Sequence, residues 1–274
     1  MAEKKFILCA DDFGVNNNIN KGILEGCNAG IITAASLCAN GEEFESAVNE
    51  FLPDCPDISI GAHLNITLGK ALSRPKLLTV ANNKFNNTFL SLKEKTKSSE
   101  FLSDVEKEFR AQIEKILEYT KINCLNSHGH IHSIPAIFKI TCKLASEYNI
   151  PFVRLTREEI ILVKNSSKFL NMKFPISLAK VLLMNSFAKT NEKTALEFGI
   201  RTNSNTIGEL YRGFLDTSTV EESVNDCNDN RITECIIIPD RIKRKTEYEL
   251  ACNKIISEKI FRAGYELTNY KKLK

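Results

Sequence analysis

Short apolar runs alternate with amphipathic stretches along most of this chain, a pattern that predicts strands and helices in regular succession. Lys5 to Ala10 reads as a compact strand that stops at the charged pair Asp11-Asp12 and the turn residue Gly14. Asn16 to Asn18 supply a cap for a helix whose Ile19, Ile23 and Cys27 recur every four residues, and Gly30 closes it. Strands are predicted over 31–39 and 58–66, with a helix over 42–52 between them. The clearest helix is predicted over 98–120, where Phe101, Val105, Phe109, Ile113, Ile116 and Leu117 form one apolar stripe opposite a Glu- and Lys-rich face. A strand over 122–127, a helix from Pro135 to about Tyr148 and a strand over 151–155 follow. Residues 158–197 read as mostly helical but irregular, interrupted by Pro175, and are expected to form an insertion or cap over the site. Strands over 199–203 and 234–238 and one closing helix over 246–262 complete the series.

Strand–helix alternation over the whole length favours parallel strands wrapped by helices, either a (β/α) barrel or an open doubly wound sheet. Three polar motifs, at Asp11-Asp12, His63 and His128, each follow an apolar strand. The C-terminal ends of barrel strands converge on one face, where active sites are built, so the barrel is the expected fold. Its 274 residues suit a single (β/α)-barrel domain spanning 1–274, with the helical cap at about 158–197.

Composition adds limits. A net charge of +3 and no basic stripe interleaved with aromatics exclude nucleic acid as the default partner. The densest basic run, Arg241 to Lys245, is short enough to be a solvated loop or helix start. Nine cysteines, an odd number without Cys-x-x-Cys spacing, point to a reducing compartment. No stretch is long and apolar enough for a membrane span or a signal segment, so the expected location is cytoplasmic. A homodimer is left open.

Histidine is where the chemistry concentrates. All four fall in two places: His63 in Gly-Ala-His-Leu-Asn, and His128, His130 and His132 in Ser-His-Gly-His-Ile-His. Singly, an Asp-Asp pair can cap a helix and a lone histidine can be a hydrogen-bonded core residue. In an extended conformation, however, alternate residues share a face, so 128, 130 and 132 are expected to point toward one cavity. Imidazoles with an aspartate make a mixed N/O site suited to zinc, iron, manganese or nickel.

Five segments, taken in order, resemble the YdjC-like carbohydrate deacetylases, which include the chitin-disaccharide (chitooligosaccharide) deacetylases. They are Ile-Leu-Cys-Ala-Asp-Asp-Phe-Gly, Gly-Ile-Ile-Thr-Ala-Ala-Ser-Leu-Cys-Ala-Asn-Gly, Gly-Ala-His-Leu-Asn-Ile-Thr, Asn-Ser-His-Gly-His-Ile-His and Ile-Pro-Phe-Val-Arg-Leu. The resemblance runs from residue 6 to about 240 and implies a (β/α) barrel related to other polysaccharide deacetylases. It also implies one divalent metal, magnesium or zinc first and manganese, cobalt or nickel after them, held by Asp12, His63 and His128. Asp11 matches the family's general base, and Asn65 and Arg154 match polar residues lining its pocket. His130, His132 and Asp240 are expected as an acid or as partners that orient a ligand.

The implied reaction is removal of acetyl from an N-acetylated sugar by metal-activated water. Two positions depart from the family pattern. Asn126 stands where the family carries Asp before the histidine cluster, and Ile238-Pro239-Asp240 stands where it carries His-Pro-Gly. The alternative is therefore a weakened family member that keeps the metal and binds a sugar or a partner.

Overall fold

Strand β1, Lys4–Phe13, is apolar or buried along nearly its whole length, as a strand covered on both faces must be. The computed structural model describes residues 4–164, 174–228 and 231–273. After β1 come α1 (Asn17–Asn28), β2 (Ala34–Leu37), a short helix α2 (Phe44–Ser46) continued by irregular turns to Asp54, and β3 (Ser59–Leu64). A small excursion follows, with β4 (Thr79–Val80), β5 (Lys84–Phe85) and α3 (Phe89–Lys95). Then come α4 (Ser99–Leu117), β6 (Cys124–Ser127), α5 (Pro135–Glu147), β7 (Phe152–Val153), α6 (Phe174–Glu197) and β8 (Asn205–Ile207). The chain ends with α7 (Thr217–Asp226), β9 (Ile232–Ile237), α8 (Lys245–Cys252), α9 (Ile255–Arg262) and β10 (Tyr265–Leu267).

Seven parallel strands run in the spatial order β7-β6-β3-β2-β1-β9-β8. The edges meet: the Val153 N–H donates to the Arg201 carbonyl at 3.0 Å and the Arg201 N–H to Pro151 at 3.1 Å. Asn203 stitches the same seam, accepting from the Leu155 N–H at 2.8 Å and donating to its carbonyl at 2.9 Å. The expected barrel is present in this irregular form, a curved parallel sheet with surrounding helices.

Alternation along β1 divides its side chains. Phe6, Leu8 and Ala10 join the large core under the helices, whereas Ile7 and Cys9 face inward with Ala34, Cys124, Phe152 and Tyr270. Tyr270 comes from the C-terminal segment, after β10 has paired with the start of β1, and its ring packs on Phe152 at 5.3 Å.

Several predicted boundaries shift. The strand expected over 199–203 lies at Asn205–Ile207, and Arg201 contributes only an isolated bridge. The single closing helix is two, interrupted where Asn253 turns to φ −91° and ψ 103°. Of the cap expected at about 158–197, α6 accounts for Phe174–Glu197, residues 158–163 are irregular, and 165–173 lie outside the described residues. The small sheet of β4 and β5 had no signal in the hydrophobic pattern. The loop leading into it is held to α4 by Glu108, a buried carboxylate accepting from the Leu72 and Ser73 N–H groups at 3.0 and 2.8 Å. No helix among the described residues is long and apolar enough to cross a membrane.

The seam is a stability test. Replacing Asn203 by Ala strands the buried Leu155 N–H, leaving the Leu155 carbonyl only its bond from the Arg157 N–H, and is expected to cost about 2 kcal/mol in urea unfolding. A loss under about 0.5 kcal/mol would show that the seam does not depend on this side chain.

Candidate metal centre

A fault in the β1–β2 ladder builds the site. Ala10 pairs with Ala35 and Phe13 with Leu37, so Asp11 and Asp12 together oppose the single residue Ser36. This is a β-bulge, and Asp12 takes its left-handed conformation at φ 65°, which aspartate tolerates better than most residues. In a regular strand two adjacent side chains would point to opposite faces. The bulge turns both carboxylates onto one cleft of about 330 Å³ at the C-terminal ends of the strands.

Opposite Asp12 stand two imidazoles. His63, at the end of β3, places Nε2 3.1 Å from Asp12 Oδ1, and His128, just past β6, places Nδ1 2.7 Å from the same oxygen. Ligand atoms of Asp12, His63 and His128 all lie within 4.8 Å of one another. Two nitrogens and one carboxylate, converging on an open cleft, fit a divalent ion that keeps positions for water and substrate.

Asn126 orients His63. Its Nδ2 donates to Ser36 Oγ at 2.6 Å, so its Oδ1 faces His63 Nδ1 at 2.7 Å as an acceptor. The His63 proton therefore sits on Nδ1 and the Nε2 lone pair faces Asp12 and the metal position. Burial would lower the pKa of His63, but the charge of Asp11 and the bond to Asp12 outweigh it and raise the value. Asp12 is shifted oppositely: burial would raise it, but His128 and His63 hold it well below the usual carboxylate range.

Asp11 is held from below. Arg154, with its side chain wholly buried, donates Nη1 to Oδ2 at 2.7 Å and Nη2 to Oδ1 at 2.8 Å. Burial would raise the Asp11 carboxyl, but Arg154 and then His63 hold it well below its ordinary range. Arg154, expected to line the pocket, is not among the residues that line this cleft. It lies beneath the floor of the cleft, bonded to Asp11.

Two of the three clustered histidines, not all three, share the cleft. Residues 128–133 form a tight turn with Gly129 and His130 at φ 62° and 58°, which leaves His128 and His130 on the cleft and turns His132 away from it. His132 is sealed off, with Nδ1 2.5 Å from Ser127 Oγ and Nε2 3.0 Å from the Arg154 carbonyl, so it supports Arg154. His130 does line the cleft: its Nε2 meets Glu209 at 3.1 Å, and its buried Nδ1 has no hydrogen-bond partner. Burial, opposed by Glu209, pushes His130 down to about 4. Glu209 also receives Lys180 of α6 at 2.8 Å and Arg212 at 3.1 Å, so it is ionised and the neutral His130 donates through Nε2.

Asp240 and Asn65 are placed away from the triad cleft. Asp240 Oδ1 accepts from the Ile242 and Lys243 N–H groups at 2.9 and 2.8 Å, which makes it a turn residue. Asn65 accepts from the Thr67 and Leu68 N–H groups, both at 3.0 Å, and borders a neighbouring cavity with Asn40 and Lys70. Ile236, Ile237 and Ile238 form an apolar wall of the cleft.

Two residues escaped sequence reasoning, Glu209 and Glu234. Each left a signal, since a carboxylate follows Ile207-Gly208 at one strand end and another interrupts the apolar run Ile232 to Ile238. Glu209 is set by its neighbours: the N–H groups of Gly208, Glu209 and Leu210 all donate to the Glu158 carboxylate, at 3.0, 2.9 and 3.2 Å. Gly208 must be glycine, because at φ 133° a Cβ would fall 2.3 Å from the Ile236 carbonyl oxygen.

Comparison with known proteins places this geometry in a family. The family model described as "YdjC-like protein" matches residues 5–260. A carbohydrate deacetylase of Clostridium beijerinckii is 29% identical over 272 residues, covering 97% of this chain and 99% of that protein. A carbohydrate deacetylase of Brevibacillus brevis is 36% identical over 149 residues, covering 54% of this chain and 58% of that protein. Among solved structures, an Enterococcus faecalis protein described as a cellobiose-phosphate cleavage protein has the same fold, with a TM-score of 0.75, 20% identity and 98% coverage of both chains.

Metal binding must displace any proton from His63. The raised pKa gives the metal-free protein a stabilising contribution that is present below about pH 6.5 and fades as pH rises through the folded-state value. Metal affinity, measured by calorimetry, is therefore expected to rise with pH across that window by up to about ten-fold per unit. Substituting Asn126→Asp puts a charge behind His63 and is expected to tighten the metal by about ten-fold; weaker binding would contradict the assigned orientation.

Proposed function

The chain belongs to the YdjC-like protein family, and from that premise we propose that it removes acetyl groups from an N-acetylated sugar in a metal-dependent hydrolysis. The observation that carries this reading is the pairing, on one bulge, of a ligand carboxylate, Asp12, with a second carboxylate, Asp11, that is free of the metal set. A binding-only site would need the first and not the second.

A divalent ion held by Asp12, His63 and His128 would polarise the acetamide carbonyl and acidify a water. Magnesium and zinc lead, with manganese, cobalt and nickel behind them. The remaining work falls to side chains. Asp11, its plane set by the Arg154 fork, accepts the proton of the attacking water. Its depressed pKa means that it passes the proton on rather than keeping it. The departing amine needs a proton, and of the three candidate acids only His130 lines the cleft. Its unpartnered Nδ1 is the atom that can take up the proton and deliver it, while Glu209 stabilises the imidazolium through Nε2. Ile236, Ile237 and Ile238 limit water at the opposite wall.

A second reading, a weakened relative that binds a sugar or a partner around its metal, draws on Ile238. That side chain lines the cleft at the position where a histidine was expected, and it offers no proton.

Acetate release from di-N-acetylchitobiose and other N-acetyl sugars, with each metal in turn, tests the enzyme. Asp11→Asn is expected to lower kcat by about a hundred- to ten-thousand-fold while metal binding survives. No release with any metal, together with tight sugar binding, would establish the second reading instead. Ile238→His returns a donor to the wall and is expected to raise kcat by about ten-fold or more; no gain would show that the wall needs no donor there.

A further inference from the structure

One buried acid has no part in the chemistry above. Glu234 lies on β9 with no exposure to solvent. It pairs in register with Ile7, four residues before Asp11, and so sits below the bulge and away from the cleft. Its Oε1 accepts from Arg154 Nε at 3.0 Å and from Nη2 at 2.7 Å, while its Oε2 has no hydrogen-bond partner. Arg154 meanwhile gives Nη1 and Nη2 to Asp11 at 2.7 and 2.8 Å.

One guanidinium thus serves two carboxylates. Packing alone does not explain the second, because an ionised group withdrawn from water is costly and a half-satisfied one more so. A well-packed apolar side chain would fill the space at lower cost. We propose that Glu234 is a positioning residue for the hydrolysis, sharing Arg154 with Asp11 so that the Asp11 carboxylate keeps both its plane and its surplus charge toward the cleft. The inference rests on the reading of Asp11 as the base.

Two effects follow from the sharing. By engaging Nε and Nη2, Glu234 fixes the rotation of the guanidinium, and that rotation sets the plane of Asp11. A one-to-one pair of Asp11 and Arg154 would be neutral, whereas the trio carries one net negative charge beneath the attacking water. That charge favours movement of the water proton toward Asp11. Glu234→Gln keeps the shape and one acceptor but removes the charge. Glu234→Asp keeps the charge but withdraws it by one methylene.

The test uses the full-length, metal-loaded protein and N-acetyl disaccharide. Both variants are expected to lower kcat by about ten-fold or more, with KM and metal affinity changing by less than about two-fold. In the metal-free protein, the Arg154 Nε–H resonance is expected to be protected from exchange in the wild type, to stay protected in Glu234→Gln, whose amide oxygen still accepts, and to lose protection in Glu234→Asp. Wild-type kcat in a folded variant would overturn the proposal, as would metal affinity falling in step with kcat, which marks a merely structural residue. Should the wild type release no acetate, the deacetylase reading fails, and unchanged Nε–H protection in Glu234→Asp would separately overturn the role of Glu234.

Discussion

A guanidinium sealed inside a barrel must find its counter-charges there, and that constraint on Arg154 organises the site. Its side chain is fully buried and pairs with Asp11 above and Glu234 below. Burial would lower its pKa, but the two carboxylates raise it well above the ordinary value, so the ion pairs persist. Buried pairs of this kind add little net stability, yet removing one member leaves an uncompensated charge worth about 3–5 kcal/mol. The cost of misplacing any member is what fixes their geometry. The backbone of Arg154 is tied as firmly, with its N–H on the Leu125 carbonyl at 2.9 Å and its own carbonyl on His132 at 3.0 Å.

The bulge in β1 translates that fixed point into a reactive surface. One extra residue opposite Ser36 places Asp11 over Arg154 and Asp12 between two imidazoles. Ser36 then fixes Asn126, and Asn126 fixes the tautomer of His63. A single irregularity in one ladder thereby determines the placement of the proposed base, the candidate carboxylate ligand and the direction of a histidine lone pair. The parallel topology supplies the rest, because β1, β3 and β6 all end at the same mouth.

Much of this was legible in the sequence. Strand-end placement of Asp11-Asp12, His63 and His128 follows from apolar runs that stop at polar residues, and the candidate ligands Asp12, His63 and His128 do converge. What failed was local geometry. Alternation in His-x-His-x-His predicts a shared face, but left-handed Gly129 and His130 replace the extended backbone with a turn. The family resemblance implies Arg154 as a pocket residue, and only the two carboxylates from distant strands show why an arginine, seldom buried, is buried here. Glu209 and Glu234 were missed because, apart from Arg212 beside Glu209, their partners lie 29 to 80 residues away, on the other side of the barrel seam or on α6.

The central claim is that the ends of three strands assemble a hydrolytic centre around a single metal ion. Stoichiometric titration of metal-stripped protein, with acetate release followed at each addition, tests it most directly. The account predicts that activity climbs in proportion to added metal and saturates at one equivalent per chain. Release that is independent of added metal, or that is absent at every loading, would contradict it.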